Sequence, residues 1–96
     1  MAPPIRLLNE ALNIDFTLVE LKQRHIENFS EAMLSWKDLS IPKYRGEVVR
    51  TAVQSGWFAT PAISPEDVGN MKASEIRWMA DRLVEAFTET MEIDPK

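Results

Sequence analysis

Cysteine is absent from this 96-residue chain, and histidine occurs once, at His25. That excludes a disulfide framework, a thiolate metal site, a cysteine nucleophile and any zinc site built from several imidazoles. Glycine occurs three times, widely separated, so no glycine-rich loop is present to cradle a phosphate. None of the serines sits in a Gly-x-Ser-x-Gly elbow. No window approaches the roughly 20 apolar residues of a membrane helix. The start, Met1-Ala2-Pro3-Pro4-Ile5-Arg6, lacks the unbroken apolar stretch of a signal peptide. Positive charge is in deficit, with 11 Lys and Arg against 15 Asp and Glu, a net charge of −4. That balance disfavours nucleic acid and anionic membranes as partners. The expectation is a cytoplasmic chain without catalytic chemistry, cofactor or metal.

What is present is an ordinary folding composition, 45% apolar and 27% charged. The length suits one domain over residues 1–96, burying about 60–65% of its unfolded surface. Residues 1–15 fit no single period. Pro3-Pro4 favours an extended start, and the segment reads as an extended piece, a short hairpin or a loose arm. A short helix over about 5–13 is the competing reading, because Ile5, Leu8 and Leu12 share one helical face.

Residues 17–37 predict the clearest helix. Thr17-Leu18-Val19-Glu20 has the form of a capping box, with Phe16 and Leu21 as its hydrophobic staple. Leu18, Leu21, His25, Ile26, Phe29, Met33 and Trp36 then form an apolar stripe. A second helix is predicted over 43–55, with Val48, Val49, Ala52 and Val53 apolar, ended by Gly56 at C′ and Trp57 at C″. Residues 57–63 read as a loop. Ser64-Pro65-Glu66-Asp67 predicts a short helical turn, with Ser as cap and Pro at the first position. A last helix over about 72–91 carries Ile76, Met79, Ala80, Leu83, Phe87 and Met91, and Pro95 cannot continue it. The expected fold is all-α: a small bundle of three main helices plus a short helical turn, with the N-terminal segment extended or loosely structured.

Several side chains invite a functional reading. His25 lies on the first helix's apolar stripe and no motif sets an acid beside it, so it reads as a core-edge histidine rather than a general base. Glu85, Glu89, Glu92 and Asp94 read first as a solvated face and second as a docking face for a basic partner. Lys37, Lys43, Arg45 and Arg50, with Trp36 and Tyr44 beside them, form a local basic cluster able to grip a nucleic-acid backbone. Trp36 and Trp57 suit a core, whereas Trp78 falls at the margin of its helix's stripe and suits an exposed contact. The predicted partner-binding set is therefore a groove containing Trp78, Met79, Arg82 and Phe87, with Trp57 and Phe58 as a second contact beside the loop.

One stretch carries a family resemblance. Ala52-Val53-Gln54-Ser55-Gly56-Trp57-Phe58 is followed by a Pro-containing loop and Pro65-Glu66-Asp67-Val68-Gly69-Asn70-Met71. Ala73-Ser74-Glu75-Ile76-Arg77 then opens a helix, and Met91-Glu92-Ile93-Asp94-Pro95 follows it. With Leu21-Lys22-Gln23-Arg24-His25-Ile26-Glu27-Asn28-Phe29 upstream, this resembles the small tail assembly chaperones of long-tailed bacteriophages and prophages. The resemblance implies a non-enzymatic, mostly helical protein that binds the tape measure protein during tail assembly, can form homo-oligomers and is absent from the finished particle. It also implies a longer form made by ribosomal frameshifting. The codons GAC-CCA-AAA would encode Asp94-Pro95-Lys96 and contain a heptamer of slippery form. Two other classes compete: a structural phage subunit such as a head–tail connector or minor tail protein, and a small helical nucleic-acid-binding regulator.

Overall fold

A computed structural model describes residues 5–92. The readings at Pro3-Pro4, Asp94, Pro95 and Lys96 lie outside the described residues, as does the Glu92 side chain. The chain runs β1 (Arg6–Asn9), a 3-10 turn (Glu10–Leu12), β2 (Ile14–Leu18), α1 (Gln23–Met33), α2 (Ile41–Gln54), β3 (Phe58–Thr60), α3 (Pro65–Gly69) and α4 (Ala73–Glu92). The all-α expectation is overturned. The described residues are 60% helical and 14% strand, and the strands form one antiparallel sheet in the order β1-β2-β3.

The N-terminal hairpin forms because Ile14, Phe16 and Leu18 alternate with Asp15 and Thr17, the period of a half-buried strand. Leu7 pairs with Phe16 and Leu18 with Phe58. Leu7, Ile14 and Leu18 are buried on the inner face. On that face the Phe16 and Phe58 rings meet edge to face at 5.2 Å. Between β1 and β2, Asn13 adopts φ 58°, a left-handed conformation that asparagine tolerates. The Asn9 side chain accepts from the Leu12 N–H at 3.1 Å. On the outer face Arg6 donates twice to Asp15, both bonds 2.9 Å. That pair is exposed and adds little stability.

The sheet explains why the predicted first helix starts late. Thr17 and Leu18 do not cap a helix; they sit in the ladder, opposite Thr60 and Phe58. Leu18 N–H donates to Ile5 and Val19 N–H to Trp57, both at 2.8 Å. These bonds satisfy amides that a helix start would have left to a cap. Helix α1 therefore begins at Gln23 and ends at Met33, and Trp36 packs from the following turn. The predicted 57–63 loop likewise contains β3, three residues too short to show a period.

The other helices sit close to their expected positions. Helix α2 buries Val48, Val49 and Ala52. Its end is a Schellman motif: Trp57 N–H donates to Ala52 at 3.0 Å and Gly56 N–H to Val53 at 3.2 Å. Gly56 has φ +80° with open space around it. Gly56→Ala is therefore expected to cost about 1–2 kcal/mol from backbone strain alone, read as a lower urea midpoint with unchanged slope. Helix α3 starts on Ser64, whose hydroxyl accepts from Asp67 N–H while Asp67 accepts from Ser64 N–H. Helix α4 packs Ile76, Met79, Ala80, Leu83, Ala86 and Phe87 inward. One buried cluster joins the sheet, α1, α2, α3 and α4.

Candidate functional site

The feature that stands out is a furrow between α1 and the C-terminal half of α4, continuing past the α1–α2 turn. Three depressions run into one another along it. The first lies among Leu21, Lys22, Gln23, Ile26, Thr90 and Met91, with a volume of about 510 Å³. The second, about 540 Å³, is lined by Ser30, Met33, Leu34, Lys37, Phe87 and Met91. The third, about 310 Å³, is lined by Met33, Trp36, Lys37, Leu39, Ile41 and Tyr44. Met91 links the first two, and Met33 and Lys37 link the last two.

The local sequence builds this furrow. Phe29 faces the core from α1 and meets Phe87 of α4, ring centroids 4.8 Å apart, so the helices touch there. One turn further on, Leu34 and Met33 have no covering element, because the chain turns away at Ser35–Leu39 into α2. Leu34 is 78% exposed, Ile41 62%, Met91 53% and Met33 40%. Single exposed apolar side chains are ordinary, but a contiguous group along one furrow marks an interaction surface. The two methionines add side chains that adapt to varied partners. The charged residues lining the three depressions, Lys22 and Lys37, are both basic.

The residues singled out from the sequence are dispersed. Trp57 and Met79 are fully buried, and Phe87 is 7% exposed. In this fold they are core, and of the six only Phe87 reaches the furrow, as part of its floor. The predicted Trp78, Met79, Arg82 and Phe87 groove does not form, because Met79 and Phe87 face the core from one side of α4. Trp78 is partly exposed beside Leu12, Arg45, Ser74, Arg77 and Asp81. Arg82 lies 5.9 Å from its ring and pairs with Glu85 at 3.1 Å. Phe58 is half-buried against Phe16. The Trp57 indole N–H is buried with no partner among the described residues. Of the basic cluster, Arg50 is tied to Glu47 at 3.0 Å, while Lys37 belongs to the furrow. Leu34 is the residue the sequence reading missed: a large aliphatic residue just past the end of α1 and off its apolar stripe, with Ile41 seven positions later.

His25 is buried, and its Nδ1 accepts the Lys22 N–H at 2.8 Å. The side chain thus closes the first turn of α1. Burial pushes its pKa down, and the Arg24 and Lys22 charges push the same way. The folded chain holds this imidazole neutral where the unfolded chain would bind a proton. Its contribution is therefore complete above about pH 6.5 and declines as pH falls from there through the lower folded value. Urea titrations between about pH 8 and 5 should show that decline, and His25→Gln should flatten it. An unchanged slope in the variant would clear His25 of the effect.

Among the described residues no three His, Asp or Glu side chains are grouped as a metal site requires. No helix there is long and apolar enough to cross a membrane. No protein-family model matches the chain, and no significant match was found among curated proteins or solved structures.

Proposed function

We propose that this chain is a non-enzymatic protein-binding module that acts in the host cytoplasm as a tail assembly chaperone, holding the tape measure protein during tail morphogenesis. The observation that carries the reading is the exposed apolar furrow of Met33, Leu34, Ile41 and Met91. A chaperone for a long helical partner must cover apolar stripes before assembly and then release them. An open, shallow furrow with adaptable methionines suits that task, in the manner of a helix seated in a groove. The partner's identity rests on the sequence resemblance.

The test is co-expression with the tape measure protein of the genome that encodes this chain. The expected result is a soluble complex with the wild-type chain and an insoluble tape measure protein with Leu34→Asp. A genome without a tape measure gene overturns the chaperone reading, as does a tape measure protein indifferent to this chain. Recovery of the chain from purified particles would make it a structural subunit instead.

A further inference from the structure

We infer that the furrow's occupant is an amphipathic helix of a partner protein, about three to four turns long, with acidic side chains flanking its apolar stripe. This rests on the protein-binding reading above and specifies the partner's recognition element.

Length comes first. The furrow follows the whole of α1, from Leu21 to beyond Leu34. The eleven residues of α1 span about 16 Å at 1.5 Å per residue. An occupant lying along it needs a similar helical length, and a helix satisfies its own backbone groups while it presents apolar anchors every three or four residues.

Charge comes second. Acids outnumber bases in this chain, 15 to 11. The furrow inverts that balance, since the described charged residues lining it are Lys22 at the start of the α1 stretch and Lys37 where the second depression meets the third. Neither has a carboxylate within ion-pair distance among the described residues. Both are exposed, and Met33, Leu34 and Met91 line the stretch between them. A partner with apolar anchors in the middle and a carboxylate near each end matches that layout. A basic amphipathic helix would meet like charge at both ends, and such repulsion selects against wrong partners.

The experiment uses the 96-residue chain and two fluorescein-labelled synthetic peptides, read by fluorescence anisotropy. Both are helix-forming, with one leucine stripe. One carries Glu at each end of the stripe, and the other carries Lys there. The Glu peptide should bind the wild-type chain about tenfold more tightly than the Lys peptide at low salt. The double variant Lys22→Glu/Lys37→Glu should invert that order, and Leu34→Asp should abolish binding of both peptides. Circular dichroism of each variant checks that the fold is retained.

Equal affinity for the two peptides, unaltered by the charge reversal, overturns the acidic-helix inference. If Leu34→Asp still abolishes that binding, the protein-binding reading survives it. Failure of both peptides to bind also overturns the inference, and co-expression with the tape measure protein then judges the function separately. Sedimentation showing a dimer that Leu34→Asp dissolves would name a second copy as occupant and overturn it too.

Discussion

Phe29→Ala is expected to be the most damaging single core change, costing about 3–5 kcal/mol. Phe29 has no exposed surface. Its ring lies 4.8 Å from Trp57, 4.8 Å from Phe87 and 5.3 Å from Trp36, measured between centroids. It thus joins α1 to the end of α2, to α4 and to the connecting turn. Truncation opens a cavity against three large rings that cannot all collapse into it. Domains of this size have a total stability of about 5–15 kcal/mol, so the variant should be partly unfolded at 37 °C. Thermal unfolding followed by circular dichroism should show a Tm lower by at least about 12 °C, at roughly 4–8 °C per kcal/mol. A fall of only a few degrees would show that the rings close over the gap and that Phe29 is not the centre of the core.

Leu34→Asp should do the opposite, leaving the fold intact and removing the interaction. Most of the Leu34 side chain is already in water, so the folded state loses little, and Tm should stay within about 4 °C. A central apolar anchor at an interface typically contributes 2 kcal/mol or more, so partner affinity should drop by about 30-fold or more. Ile41→Asp, at the neighbouring depression, should act in the same direction. If Leu34→Asp lowers Tm as strongly as Phe29→Ala does, Leu34 belongs to the core in solution and the furrow is not a free surface.

Helix positions were more legible in the sequence than strands, for a physical reason. Ser64-Pro65 and Gly56-Trp57 mark helix ends through local chemistry, a cap hydroxyl and a left-handed glycine, so neighbouring residues suffice to place them. Helix α4 repeats its apolar spacing over twenty residues, enough to outweigh irregularities. The sheet lacks such redundancy. Its strands have four, five and three residues, and β3 has meaning only beside β2, some forty residues earlier. Thr17-Leu18-Val19-Glu20 shows how local signals mislead. Its residue types suit a helix cap, but pairing with Ile5, Phe58 and Thr60 outweighs that preference.

The binding surface was harder to read, because the same apolar residue is core or contact depending on what covers it. Met33 and Met91 continue their helices' stripes, yet the α1–α2 turn leads into α2 without covering them, and both are exposed. Trp57 and Phe87 are aromatic, as interface residues often are, yet they close the interior. No spacing rule separates these cases; the path of the α1–α2 turn does.

The pairing of β2 with β3 and of Phe29 with Phe87 also constrains how the chain is made. A ribosome that has released residues up to Gln54 has delivered the hairpin, α1 and α2. It has not yet delivered the strand that completes the sheet or the helix that closes over Phe29. Until α4 emerges, the inner faces of both layers remain open to water. Such long-range closure delays completion of the core until α4 has left the ribosome. The nascent chain thus passes through an interval in which it exposes more apolar surface than the finished protein does.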